Sequence, residues 1–516
     1  MKNKSNGVAL VVIATLIGLY IRLGSALSAP FPLNDGGLFY AMMRDLQANG
    51  YHLPVFSTYN GGQIPFAYPP LGFYLTSLLA DLLRVDLLDV TRWLPPFISA
   101  LTIPAFYLLA SRLVRSETVA ALAALLFALT PRAFNWQIMG GGVTRSPGFL
   151  FEILALACVA QLFTKPSRRI IVWTIVWSSL VVVTHPEATS QTVFASFLLY
   201  LFFDRSRKGL LPALIIAAFT IGITSFWWAT ILARHGFEPF LAANAAVSAR
   251  SFPWIARFVA LFQFDLMSEP SLKMISTLGL LGIFLRLNKR DFFLPVWLTT
   301  TFLLEPRSAP QIMTIPMSLL AAHTLAEMIL QKFSASDSDS LDDLLKSAAA
   351  RAFLGLLLIL LTLDSYLVAE KIAHEFSLAR SDMDAYEWIP ANTPTGSTFA
   401  IVTGELPLRD PFSEWLPALT ERVTVTPTFG YEWVADPPFT LRMEAYQSLQ
   451  ECLYQDTTCL QDWSVTNQAP FDYLIIRSYR NGVSFLSPLQ IYLSQSAEFN
   501  VVYQKPGIVI YQAQAP

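Results

Sequence analysis

Apolar residues in this chain come in long continuous runs, and short basic clusters punctuate them. Such a run with few charges is the pattern of a membrane-spanning helix, and the side that collects Lys and Arg is the inner one. Runs at residues 8–27, 93–113, 119–130, 148–164, 170–184, 191–203, 210–232, 275–287, 292–304, 313–330 and 352–368 predict about eleven spans. Threaded in order, they put Arg112 with Arg115, Lys165 with Arg168 and Arg169, Arg205 with Arg207 and Lys208, and Lys289 with Arg290 on one side. That agreement sets the orientation, with the first run carrying the chain outward. Several runs fall short of the ~20 residues a crossing helix needs, so the count holds to within a span or two. The segment "YPPLGFYLTSLLADLLR" at 68–84 is apolar, short and flanked by charge, and reads as a juxtamembrane or re-entrant helix on the outer side. The interval 235–269 is amphipathic and is expected to lie partly in the outer interface.

After residue 369 the texture changes: charge returns and long apolar runs cease. "SDMDAYEWIPANTPTGSTFAIVTG" predicts a helix, a proline-marked turn and a strand. "RVTVTP", "FDYLIIRS" and "FNVVYQKPGIVIYQ" predict further strands, the last a hairpin around Lys505, Pro506 and Gly507. The expected fold is therefore a polytopic α-helical membrane domain over 1–369 followed by an α/β domain over 370–516, which span parity places outside.

Composition agrees with this reading. The chain has 516 residues, of which 54% are hydrophobic and 14% charged, against about 25% charged in a soluble domain. Mean hydropathy is +0.47. A net charge of −2 gives no basic field, so nucleic acid is not an expected partner. The 33 prolines are dispersed and mark span ends and broken helices. Lys2 and Lys4 precede the first run, and Ala26 and Ser28 faintly imitate a cleavage site; with so many spans following, the run is expected to be an uncleaved signal anchor. Cys158 falls in an apolar run and reads as a small buried hydrophobe. Cys452 and Cys459 are spaced for a local disulfide in an oxidising compartment, or are two free thiols.

The residues that can carry chemistry gather at the outer ends of the runs. Asp35 opens the first large polar interval, 34–71; a carboxylate there can act as general base on an acceptor hydroxyl, ligate a metal or bind a sugar, while "NDGG" is also an ordinary polar turn. "THPE" at 184–187 puts His185 and Glu187 at a helix mouth, suited to binding, proton transfer or metal, or simply to ending a helix. Such groups are costly beside an apolar span. Arg145, after "GGGVT", and Arg307, in "EPRSAP", can each grip a lipid phosphate with a planar guanidinium, or snorkel to headgroups; Glu305 can be Arg307's ion-pair partner. Tyr59, Phe66, Tyr68 and Trp136 suit sugar stacking or a lipid groove as well as an interfacial belt.

Arg22 near the end of the first run, Asp35 beyond it and "LFYAMMRDLQANG" after that resemble the start of GT-C glycosyltransferases. "YPPLGFYL" is similar to the Pro-Pro-Leu helix of the protein mannosyltransferase and aminoarabinose transferase branches. "EPRSAPQIMTIPMSLLAAHTLAE" resembles their late Arg-then-Pro span, and "DAYEWIPANTP" the start of the outer domain of many bacterial members. The resemblance implies a GT-C fold in the plasma (inner) membrane, inverting transfer from a polyprenyl-phosphate-linked sugar, and an extracytoplasmic acceptor. Asp35 matches the catalytic acid and Arg307 the late arginine that contacts donor phosphate. Tyr59, Tyr68, Arg145, His185 and Glu187 are the further candidate substrate-binding residues. Gly36 stands where a second acid is common, and the loop between the third and fourth runs also lacks one, so metal dependence is left open: no cofactor is assigned, and a divalent metal is the one candidate. The rival expectations are a transporter or flippase of a lipid-linked or polar substrate, and a non-catalytic receptor.

Overall fold

The computed structural model describes residues 4–249, 270–304, 308–333, 341–480 and 483–514. Every apolar run named above falls on a helix. Helices α1 (Lys4–Ser28), α2 (Gly37–Ala48) and α3 (Leu71–Leu83) are followed by α4 (Leu87–Leu113), α5 (Glu117–Ala128) and α6 (Gly142–Thr164). Next come α7 (Arg168–Val182), α8 (Pro186–Phe203), α9 (Arg207–His235) and α10 (Glu238–Ala249). Then follow α11 (Pro270–Asn288), α12 (Phe293–Leu304), α13 (Ala309–Phe333) and α14 (Ala348–Glu375). Among the described residues, six helices are long and apolar enough to cross a bilayer.

The short run at α5 has a physical explanation. Its sequence, ETVAALAALLFA, has no polar face, and a helix apolar all round belongs in an interior. Residues 118–130 are all buried, against α1, α4 and α13. Twelve residues measure only ~18 Å, and α5 makes its passage through the bundle's centre, enclosed by its neighbours. Arg22 is fully buried beside it. Its guanidinium donates to the carbonyls of Gly18 (3.1 Å) and Ala128 (3.0 Å) and to Ser99 Oγ (3.2 Å), and lies 4.5 Å from the Phe134 ring. Arg22 thus ties α1, α4 and α5 together beneath the outer loops.

The loop between α1 and α4 folds into α2, a small β1–β2 ladder (Phe56–Ser57, Ile64–Pro65) and the 13-residue α3, a short helix as expected. The C-terminal part carries α15 (Arg380–Asn392), α16 (Pro411–Thr420), α17 (Phe439–Glu451), α18 (Thr457–Thr466) and α19 (Pro488–Leu493). Its strands are β3 (Thr398–Val402), β4 (Val423–Thr424), β5 (Tyr473–Arg477), the small ladder β6–β7 (Tyr479–Arg480, Val483–Ser484), β8 (Phe499–Lys505) and β9 (Ile508–Ala513). A five-stranded sheet runs β4-β3-β5-β9-β8, parallel across β4, β3 and β5 and antiparallel beyond. β5, YLIIR, is buried along its whole length, as a strand covered on both faces should be.

The two faces of the sheet have different neighbours. Ala400, Val402, Leu474 and Ile476 pack with Leu449 of α17 and Trp463 of α18. The alternating set, Phe399, Ile401, Tyr473 and Ile475, shares one hydrophobic core with Trp415 of α16 and with Leu38, Met42, Phe66 and Phe73 of the outer loop. Hence the core of the C-terminal part continues into the loop between α1 and α4. Arg477 of β5 holds Asp382 of α15 through two 2.9 Å bonds within that region.

Cys452 and Cys459 form the disulfide that their spacing allowed, with Cα atoms 5.6 Å apart, joining the end of α17 to α18; Cys158 is buried and free. Closing so short a loop stabilises by about 2–3 kcal/mol. Cys452→Ser with Cys459→Ser is therefore expected to lower the unfolding midpoint of the C-terminal part. An unchanged midpoint in thermal melts would show that α17 and α18 need no tether.

Candidate functional site

The turn from Leu33 to Gly37 is pinned from several sides. Asn34 N–H donates to the Phe376 carbonyl (2.9 Å), and Leu33 C=O accepts from Gly140 N–H (2.8 Å). Gly36 has φ +135°, a conformation side-chain-bearing residues rarely adopt. A Cβ there would stand 3.0 Å from the Gly140 backbone and from the Trp415 ring, and one on Gly37 would stand 2.6 Å from the Glu414 carbonyl oxygen. The glycine pair therefore does more than shape a polar turn: it lets the 140–142 loop and α16 both close onto Asp35.

Asp35 is 5% exposed. Its Oδ1 accepts from Gly141 N–H (3.2 Å) and from Arg145 Nη1 (3.3 Å), and its Oδ2 from Arg145 Nη2. This is the two-pronged fit of a guanidinium to a carboxylate. Arg145 lies in the first turn of α6, which starts earlier than its apolar run. It also donates to the Trp136 carbonyl (3.4 Å), with its Cζ 5.4 Å from that ring.

Tyr68 stands next to this pair. Its hydroxyl is 3.4 Å from Thr144 Oγ1, and its ring lies 6.4 Å from the His185 ring and 5.8 Å from Trp433 of the C-terminal part. His185 caps the N-terminus of α8, its Nδ1 accepting from Ala188 N–H (3.3 Å). In the neutral ring that leaves the proton on Nε2. Glu187, in the first turn of α8, is half-buried and acts electrostatically on Arg145. Asp35, Arg145, Tyr68, His185 and Glu187 thus share one neighbourhood at the ends of α6 and α8.

The other two candidates lie elsewhere. Tyr59 is buried on the far side of the turn, where its hydroxyl donates to the Glu414 carbonyl (2.8 Å). Burial pushes that hydroxyl well above the ordinary tyrosine range. Arg307, with Glu305, lies outside the described residues.

Three site residues were not anticipated, all from the C-terminal part. Trp433 faces Tyr68. Trp415 donates through Nε1 to the Asn34 carbonyl (2.8 Å) and meets Phe31 edge-on at 4.6 Å. Glu414 Oε1 accepts from Gly36 N–H (3.0 Å). Asp410 followed by Pro411 is a helix-start signal that could have marked the helix bearing the last two; nothing local could have placed it on a turn some 380 residues away. Trp415→Ala should cost about 3–5 kcal/mol by opening a cavity and free the turn. Thermal unfolding together with limited proteolysis of the C-terminal part would show this, and unaltered values in both would remove Trp415 as the anchor.

The residues present do not fit a divalent metal. Both Asp35 oxygens are engaged by Arg145 and Gly141, and no group of three or more His, Cys, Asp or Glu placed to hold an ion occurs among the described residues. No step below is routed through one.

The Archaeoglobus fulgidus oligosaccharyltransferase, solved with a tethered acceptor peptide, matches with a TM-score of 0.56 at 16% identity, over 91% of this chain and 68% of that one. Arabinofuranosyltransferase AftD from Mycobacteria matches with a TM-score of 0.59 at 17% identity, over 98% of this chain and 40% of its own. ArnT from Cupriavidus metallidurans matches with a TM-score of 0.56 at 14% identity, over 98% of each chain, and has also been solved bound to undecaprenyl phosphate. At such identities the likeness is one of fold alone, shared with these three transferase structures. No curated protein matches the chain. A family model described as 6-pyruvoyl-tetrahydropterin synthase related domain, membrane protein, matches residues 67–372, more than half of the sequence, and the chain belongs to that family of membrane proteins.

Proposed function

We propose that the protein is an inverting glycosyltransferase, moving one sugar from a polyprenyl-phosphate donor to a hydroxyl of an acceptor at the outer face of the plasma membrane. The observation that carries this reading is the buried Asp35–Arg145 pair, set at the ends of membrane helices on a GT-C fold. The lipid phosphates held by two proteins of that fold, undecaprenyl phosphate in ArnT and dolichol phosphate in the archaeal AglB, support the donor class.

In the resting site Arg145 neutralises Asp35. An arriving donor phosphate offers the guanidinium a second anionic partner with matching geometry. As Arg145 turns toward it, Asp35 keeps the Gly141 N–H and gains freedom to accept a proton. The acceptor O–H then gives its proton to Asp35 while its oxygen attacks the anomeric carbon from the face opposite the phosphate. The carbon–oxygen bond to phosphate breaks, its electron pair leaves with the polyprenyl phosphate, and Arg145 stabilises that charge. His185 Nε2–H and the Tyr68 hydroxyl supply donors for sugar hydroxyls, and the Tyr68 and Trp433 rings supply stacking faces.

The Cys452–Cys459 disulfide supports an oxidising, outer location for the C-terminal part, and the basic clusters support the opposite side as inner. The direct test supplies reconstituted protein with a mixture of polyprenyl-phosphate sugars and an envelope extract as acceptor. Release of free polyprenyl phosphate with labelled sugar on the acceptor is the expected result. Full recovery of every lipid-linked sugar would end the transferase reading.

A further inference from the structure

Gly36 occupies the position after Asp35, yet a second carboxyl is present. Glu414, 3% exposed, reaches the turn from α16 and takes the N–H of Gly36 itself, the peptide that follows Asp35. Its Oε2 is buried with no hydrogen-bond partner among the described residues. The buried turn therefore holds two carboxyls against one guanidinium. Three charges there would leave a net negative buried site, which burial disfavours. Asp35 has the guanidinium and the Gly141 N–H, whereas Glu414 has backbone N–H groups alone.

We propose that Glu414 is the second carboxyl of this active site, a positioning residue supplied by the C-terminal part, which holds the Asp35 turn through Gly36 N–H and leaves Asp35 as the anion. The inference rests on the transferase reading of Asp35. Burial first, and then the charge of Asp35, push the Glu414 carboxyl well above the usual carboxylate range, with Arg145 acting in the opposite sense. The Tyr59 hydroxyl also lies against Glu414, at its carbonyl. Charges on the elements packed around α16 are engaged elsewhere: Arg44 with Glu421, Asp382 with Arg477, and Asp410 with Ser413 and Tyr446. The sign follows. Below its raised pKa Glu414 is neutral and the turn holds; as pH climbs through that value a second negative charge enters beside Asp35, and transfer falls.

The test uses the full-length protein in membranes, with a spectroscopic arm independent of turnover. Infrared difference spectra of wild type against Glu414→Gln at neutral pH should show a carboxylic-acid band lost in the variant. In Asp35→Asn that band should titrate at lower pH, because a repelling charge has gone. In transfer assays Glu414→Ala should lose about 10²-fold in kcat, the scale of a displaced catalytic group, with the donor KM unchanged. Glu414→Gln should recover part of that loss and carry activity further into alkaline pH. Identical wild-type and Glu414→Gln spectra would overturn the inference, as would full kcat in Glu414→Ala. The predicted band without transfer by the wild type would leave the acid pair standing and remove the transferase reading instead.

Discussion

Asp35→Asn is expected to reduce kcat for sugar transfer by about 10²–10⁴-fold, the contribution of a positioned general base. The amide oxygen can still accept from Gly141 N–H and Arg145 Nη1, while the charge, the proton-accepting capacity and the acceptor for Arg145 Nη2 are lost. The variant should therefore fold and still bind a polyprenyl-phosphate donor. Transfer by wild type and variant would be compared in reconstituted membranes, with donor binding measured separately. Equal transfer rates would remove Asp35 as the base and move attention to Glu187, in the first turn of α8.

Arg145→Ala should act on both stability and donor binding. The Asp35 side chain is 7% exposed and that of Arg145 23%, so removing the cation leaves a carboxylate buried without its partner. Breaking such a pair from one side costs about 3–5 kcal/mol. Adding Asp35→Asn should return most of that stability, since the orphaned charge is gone, and a double-mutant cycle in thermal unfolding measures the return. Donor affinity should not return in the double variant, because the guanidinium proposed to grip the phosphate is still missing. If affinity recovers together with stability, Arg145 serves Asp35 alone, and the phosphate must be held by other cations.

Much of the membrane part was legible because its signal is one-dimensional. A run of apolar residues names a helix wherever it lies, and basic clusters orient it. The signal does not say what surrounds a helix: α5 is enclosed by other helices in the bundle's interior. Arg22 read only as the opening of the family resemblance, and its burial shows it to be a clamp between helices. In the C-terminal part the strands at 398–402, 473–477 and 499–513 followed from their β-branched and aromatic composition. The strand order did not, since parallel pairing of β3 with β5 is set by the helices between them. At the site, Asp35 and Arg145 each stood out as polar residues at a span edge, but 110 residues separate them and nothing local says that they meet. His185 was legible for the same reason as Asp35. Glu414, in an ordinary amphipathic helix, carried no signal of its own. The absent acid at Gly36 was the hint, and only packing says where the replacement comes from.

The docking of α16 on the Asp35 turn also has a consequence in time. A chain is made from its N-terminus, and at about 5–20 residues per second the 378 positions from Gly36 to Glu414 take from ~20 s to over a minute. Over that interval the Asp35 turn, and each membrane helix once it is made, exist without the helix that clamps the turn. The nascent protein is therefore held in an unfinished form, and its competence is switched on late, by the arrival and folding of its own final quarter.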